Sequence, residues 1–135
     1  MKAFIPYLNF DGNAREAMTF YQQCLGADLT LQAFGEAGAP FPGSEKLIMH
    51  ARLSTQAGAV IMASDSMPHV PLVLGNNVWV TQDCDSIEEI ERLFAAFGEG
   101  GSVMMPLADQ FWGARFGMLT DKYGINWMFN HELAK

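Results

Sequence analysis

Asn13-Ala14-Arg15-Glu16-Ala17-Met18-Thr19-Phe20-Tyr21-Gln22-Gln23-Cys24-Leu25-Gly26 decides the fold of this chain, because its plan returns at Asp85 to Gly98. Asn13, Glu16, Met18, Tyr21, Leu25 and Gly26 fall 72 positions before Asp85, Glu88, Ile90, Leu93, Phe97 and Gly98. Each copy reads as one capped helix. Asn13 or Asp85 is placed to accept free backbone N–H groups, Glu16 or Glu88 completes a capping box, and glycine closes the helix in the left-handed region. Further on, Leu53, Ser54, Gly58 and Met62 fall 66 positions before Leu119, Thr120, Gly124 and Met128, each set reading as strand, tight turn, strand. Residues 13–65 and 85–131 therefore follow one plan. The change of offset by six is assigned to an insertion in the Gly- and Pro-rich loop from Glu36 to Lys46.

The rest of the chain fits around these two copies. Strands are expected at Ala3 to Phe10, Asp28 to Phe34, Leu47 to Ser54 and Ala59 to Ala63, with the helix at Ala14 to Leu25. In the second copy, strands are expected at Asn77 to Thr81, Ser102 to Leu107, Ala114 to Leu119 and Asn126 to Asn130, with the helix at Ser86 to Phe97. Ser66 to Gly75, with Pro68 and Pro71, reads as the linker. The expectation is an α+β domain spanning 1–135: βαβββ module one over about 1–65, a linker over 66–75, and module two over 76–131.

Composition narrows the function. A chain of 135 residues with 50% hydrophobic content makes one domain with a full core. No apolar run approaches the roughly 20 residues of a membrane span, and Met1 to Pro6 leads straight into a strand, so a cytoplasmic protein is expected. Net charge is -7 and the basic residues are dispersed, which argues against nucleic acid as a partner. Cys24 and Cys84 form no metal or redox spacing and are expected to be reduced. Ser44, Ser54 and Ser64 lack a nucleophile motif, and Glu88 and Glu89 read as a solvated helix face.

Pro6-Tyr7-Leu8-Asn9-Phe10, Gly12 to Ala17, Phe20-Tyr21 and Leu25-Gly26-Ala27 together resemble the PhnB-like branch of the vicinal oxygen chelate superfamily, which includes glyoxalase I and bleomycin and fosfomycin resistance proteins. Met49-His50-Ala51, Ser64-Asp65, Phe111-Trp112-Gly113, Phe116-Gly117, Thr120 to Gly124 and Trp127-Met128 carry the same resemblance. It implies a glyoxalase-like fold: two tandem βαβββ modules forming a cupped, partly open eight-stranded barrel around a cavity, paired as a homodimer. In catalytic members a divalent metal in the cup is held by His and Glu side chains and polarises the substrate. The corresponding positions here are Pro6 and Met62 in module one and Asn77 and Met128 in module two. None is a histidine or carboxylate, so no metal and no other cofactor is expected. Some members of the branch carry a methyltransferase name. No Gly-rich nucleotide loop follows a strand here, and methyl transfer is not expected.

Two constellations remain. His50 with Asp65 or Tyr7 forms a conceivable acid-base set, although a strand histidine is commonly a hydrogen-bonded core residue and Asp65 is commonly a turn former. Tyr7, Asn9, His50, Trp79, Phe111, Trp112, Phe116 and Trp127 form a candidate ligand-binding set, with Tyr7 and Trp79 equivalent by the 72 offset and His50 and Phe116 by the 66 offset. The same rings would also serve to fill a small barrel. His69 in the linker and His131 with Glu132 near the C-terminus are expected to be exposed bystanders. Three functions stay open: a metal-free binder of a small organic molecule, a glyoxalase-like or dioxygenase-like enzyme on a vicinally oxygenated substrate, and a dimeric interaction protein with a filled barrel.

Overall fold

A computed structural model describes residues 1–38, 41–67 and 69–134. Ala39 and Pro40 of the predicted insertion and Pro68 of the predicted linker lie outside the described residues. The chain divides into two compact units, Met1–Val73 and Leu74–Lys135.

In the first unit the elements are β1 (Tyr7–Phe10), α1 (Ala14–Leu25), β2 (Asp28–Ala33), a 3-10 turn (Phe34–Ala37), β3 (Ile48–Ser54) and β4 (Val60–Asp65). They build one four-stranded sheet of order β1-β4-β3-β2, with β1 parallel to β4 and the other neighbours antiparallel. The second unit repeats this with β5 (Val80–Asp83), α2 (Ile87–Gly98), β6 (Ser102–Asp109), β7 (Ala114–Thr120) and β8 (Asn126–Glu132), in the order β5-β8-β7-β6. The fold is α+β, two tandem βαβββ modules whose sheets are not closed. No helix among the described residues is long and apolar enough to cross a membrane.

Each helix covers one sheet face. Ala17, Met18 and Tyr21 of α1 are fully buried, as are Ile48, Ala51, Leu53 and Ala63 of β3 and β4. In the second unit Ile90 and Phe97 of α2 are buried with Leu119, Trp127 and Phe129. Phe97 meets Trp127 edge-on with ring centroids 5.0 Å apart, and meets Phe129 at 5.7 Å. Burying each such large side chain contributes about 1.5–3 kcal/mol. Gly117 of β7 makes room for this packing, since a Cβ there would stand 2.7 Å from the Phe94 ring.

The helix starts differ from the expected caps. The N-cap of α2 is Ser86, whose hydroxyl accepts from Glu89 N at 3.1 Å, while the Glu89 carboxylate accepts from Asp85 N at 2.9 Å. The box is therefore Ser86 with Glu89, one residue beyond Asp85 with Glu88. At α1, Asn13 is the N-cap but its side chain makes no capping bond. A residue from another strand replaces it, as described below. Gly26 closes α1 in the left-handed region with φ 61°, whereas α2 ends through Glu99 in extended conformation and Gly100 takes the positive φ.

Strand registers correct the repeat offset. Thr55 N bonds Ala59 O and Gly58 N bonds Thr55 O; 66 positions on, Asp121 N bonds Ile125 O and Gly124 N bonds Asp121 O. The hairpin offset of 66 thus holds atom for atom. Across the parallel pairs, however, Tyr7 faces Met62 while Thr81 faces Met128, so the first-strand offset is 81 minus 7, or 74, and not 72. Asp28 facing Ser54 and Ser102 facing Thr120 give 74 again. The change to 66 is therefore eight residues, between β2 and β3 as expected. Thr81, not Trp79, is the counterpart of Tyr7.

The same register places Gln82, which faces Phe129, as the counterpart of Leu8, which faces Ala63. Both polar side-chain atoms of Gln82 are buried without a hydrogen-bond partner among the described residues. An unpaired buried amide costs roughly 1–3 kcal/mol. Gln82→Leu, which restores the residue type of the first module, is expected to raise stability by about 1–2 kcal/mol in urea unfolding. A lower midpoint in the variant would show that the amide has a partner it needs.

Candidate functional site

Side chains alternate across a strand, so the residues not turned towards α1 share the opposite face of the first sheet. Buried Phe10, Ala51, Leu53, Ile61, Ala63 and Asp65 mark the helix side. The other side carries Tyr7 and Asn9 of β1, Met62 and Ser64 of β4, His50 and Arg52 of β3, and Thr30 and Gln32 of β2. The pairings order them into two rows. Tyr7, Met62, Arg52 and Thr30 face one another in succession across the four strands. In the neighbouring row Asn9 faces Ser64 and Gln32 faces His50.

This face is polar and locally bonded. The Tyr7 hydroxyl lies 3.3 Å from His50 Nδ1, with the two rings 5.8 Å apart and inclined at 36°. Ser64 Oγ donates to Asn9 Oδ1 at 3.3 Å. Tyr7 is 47% exposed and His50 is half-buried, so the pair is reachable from solvent. A phenol and an imidazole in contact supply a donor, an acceptor and a proton-transfer route. Tyr7, Asn9 and His50 are thus brought together as the sequence suggested. Met62, Ser64, Arg52 and Gln32 join them; period-2 counting from His50 along β3 and its neighbours was the signal that would have found them.

Asp65 does not join them. It is 4% exposed on the helix side, where one carboxylate oxygen accepts from Ala14 N at 2.9 Å and the other from Ile48 N at 2.7 Å. The expected pairing of His50 with Asp65 is corrected: the two point to opposite faces, and the Asp65 carboxylate caps α1 and fixes the start of β3. At the equivalent place in the second unit His131 Nδ1 lies 2.8 Å from Cys84 O, ahead of α2, so His131 is half-buried and not the exposed bystander expected.

The second-unit aromatics separate into three settings. Trp127 is fully buried against Phe97, and its Nε1 donates to Asp121 Oδ2 at 2.8 Å, so the structure places it in the core of the second unit. Trp79 precedes β5 and its indole donates to Asn76 O at 2.8 Å. Phe111, 97% exposed, and Trp112 occupy the β6–β7 turn, where Trp112 stacks edge-on with Phe111 at 5.1 Å and with Phe116 at 5.9 Å. Phe116 of β7 faces Asn130.

Comparison with known proteins adds the family. The sequence profile described as 3-demethylubiquinone-9 3-methyltransferase matches residues 2–129. The crystal structure of protein PA1353 from Pseudomonas aeruginosa is 43% identical, covering 99% of this chain and 100% of that one, with a TM-score of 0.88. A PhnB protein from Bacillus cereus, which also bears the 3-demethylubiquinone-9 3-methyltransferase name, is 27% identical over 96% of this chain and 99% of its own, with a TM-score of 0.81. A glyoxalase/bleomycin resistance protein/dioxygenase family enzyme from Burkholderia phytofirmans shares the fold, with a TM-score of 0.66 at 17% identity over 97% of this chain and 100% of its own. The chain belongs to the PhnB-like branch of the vicinal oxygen chelate superfamily.

In this PhnB-like chain the positions that the resemblance assigns to metal ligands do not fit a metal. Pro6 has no side-chain donor, and Met62 and Met128 offer soft thioethers. Asn77 lies in the exposed lead-in before β5; by the register the counterpart of Pro6 is Val80, which also has no donor. Among the described residues His50 is the one imidazole on the polar face, beside a phenol, neutral amides and the Arg52 cation, none of which is a metal ligand of the required kind. Among the described residues no group of three or more His, Cys, Asp or Glu is placed to hold a metal ion. The buried thiol offers no nucleophile either. Burial, reinforced by Glu89, Asp83 and Asp85, pushes Cys84 up to about 12, leaving it protonated at neutral pH.

Proposed function

We propose that this PhnB-like protein binds a small organic molecule on the helix-distal face of its first sheet, around Tyr7 and His50, and does so without a resident metal. The observation that carries this reading is the Tyr7–His50 contact at 3.3 Å, solvent-reachable and spanning from the edge strand β1 to the central strand β3. The donor chemistry of Pro6, Met62 and Met128 supports the metal-free part. Methyl transfer is not part of the reading, although the family bears that name: each sheet holds only one parallel strand pair, and the β1–α1 junction, where a nucleotide would sit in a doubly wound fold, has its Ala14 N–H taken by Asp65. The same contact favours a second reading, in which His50 and Tyr7 act as base and acid on a vicinally oxygenated substrate.

A cytoplasmic homodimer belongs to the proposal. Support comes from Cys24 and Cys84, which form no disulfide, and from exposed apolar side chains on β6 and its turn, where Val103, Met104, Phe111 and Trp112 are each at least half exposed. A filled, ligand-free interaction protein is the competing outcome.

The test combines light scattering and elemental analysis of the gel-filtered protein with an NMR screen of small organic molecules. Twice the chain mass, no stoichiometric metal, and saturable shifts of the Tyr7 and His50 ring resonances are the expected results. His50→Ala should abolish those shifts while costing no more than about 1 kcal/mol of stability, since among the described residues its ring makes one side-chain hydrogen bond, to Tyr7. One metal per chain, or a screen in which nothing perturbs either ring, would sink the reading.

A further inference from the structure

Arg52 stands out on the polar face. Of the arginines, Arg115 is held by Asp109 at 2.7 Å and Glu91 at 2.8 Å, and Arg15 reaches Lys46 O at 3.5 Å. The Arg52 guanidinium has no hydrogen-bond or ion-pair partner among the described residues, although the chain carries 15 acidic residues against 8 Lys and Arg. Neither of these two rows contains a carboxylate; Asp28, opposite Ser54, stands on the same side one row beyond Thr30 and Arg52 and makes no ion pair with the guanidinium among the described residues. An unpaired guanidinium on a central strand, in a chain of net charge -7, is the place where an anion is attracted rather than repelled.

Its neighbours define the shape of that anion. Met62 lies directly between Tyr7 and Arg52, facing both across the strand pairings. With neighbouring strands about 4.8 Å apart, the phenol and guanidinium strands stand about 10 Å apart across a thioether floor. The Tyr7 ring leans across β4 to His50, so a single ring packed on its solvent side and on Met62 would bring a charged end to the guanidinium fork. We propose that the ligand of this face is a small aromatic monocarboxylate, with Arg52 pairing its carboxylate and Met62 and Tyr7 holding its ring. The inference rests on the small-molecule reading above and names its substrate class.

The experiment uses the full chain and two probes of equal shape, benzoate and neutral benzamide, titrated at low salt while the ring resonances of Tyr7 and His50 are followed. Benzoate should give saturable shifts that benzamide does not. Arg52→Gln should weaken benzoate by about tenfold or more, as expected for loss of one charge-assisted pair, and Arg52→Lys should fall between the two. Arg52 is exposed, so both variants should melt with the parent. Equal binding of benzoate and benzamide, or unchanged benzoate affinity in Arg52→Gln, would overturn the carboxylate assignment and leave the small-molecule reading standing. Should neither probe move either ring, the aromatic carboxylate is excluded; the wider screen then decides whether the small-molecule reading fails with it.

Discussion

Asp65→Ala is expected to lower the unfolding free energy by about 3–5 kcal/mol, the largest effect of any substitution on the first unit's polar residues. The carboxylate is 4% exposed and accepts from Ala14 N at 2.9 Å and Ile48 N at 2.7 Å. Hydrogen bonds to a charged acceptor contribute roughly 1.5–3 kcal/mol each, and truncation leaves two backbone N–H groups without a partner. One of them is the first amide of α1, which the Asn13 side chain does not cap. Asp65→Asn separates charge from geometry. Its single carbonyl oxygen serves one N–H while its amide turns a donor towards the other, so it should lose at least half as much. Urea unfolding of the three proteins measures this directly. If Asp65→Ala unfolds with the parent and instead loses ligand binding, the carboxylate belongs with His50 after all.

That outcome bears on how far the sequence could be read. The helices and hairpins were legible because their signals are local: an N-cap, a glycine of positive φ, a turn of fixed length. Thr55 to Ala59 and Asp121 to Ile125 close identical turns, and a hairpin turn sets the register of both its strands. Continuing that register shows Ala51 opposite Ala63, which puts His50 and Asp65 on opposite faces. The information needed to separate the two residues was therefore present in the turn. The parallel pairs were not legible in this way. No turn links β1 to β4 or β5 to β8, and a helix intervenes, so the offset read from the helices was two residues away from the 74 that the strands adopt. Trp79 falls opposite Tyr7 at the helix offset for that reason, and Thr81 at the strand offset.

The site was legible in part. Tyr7, Asn9 and His50 stand out by type, a phenol, an amide and an imidazole on predicted strands. Arg52 carries no such signal, because an exposed arginine on a strand is ordinary until its neighbours show that nothing among the described residues pairs with it. Charge within a sequence does not reveal which side chains lie next to one another on a sheet. The rows Tyr7–Met62–Arg52 and Asn9–Ser64 exist only once three strands have been set in register.

Trp127→Ala is expected to destabilise the protein by about 3–5 kcal/mol while leaving the proposed ligand binding at Tyr7 and His50 unchanged. The indole is fully buried, meets Phe97 edge-on at 5.0 Å, and donates to Asp121 Oδ2 at 2.8 Å. Truncation of a large core aromatic costs this much through lost burial and the cavity left behind. Asp121 adds a second contribution. It is 4% exposed and its other oxygen accepts from Tyr123 N at 2.8 Å and Ile125 N at 3.1 Å, so it ties the β7–β8 turn to the core through Trp127. Trp127→Phe keeps a ring against Phe97 but removes the donor and part of the ring volume; it should cost about 1–3 kcal/mol, the range for leaving a buried polar group without a partner. A graded loss, parent above Phe above Ala, in urea unfolding would identify the indole as a structural node. The same grading appearing in benzoate affinity, with stability unmoved, would keep Trp127 in the ligand-binding set. It follows that the buried indole is a reporter of unfolding, and that Trp112, 53% exposed in the β6–β7 turn, is the indole whose emission solvent quenchers should reach first.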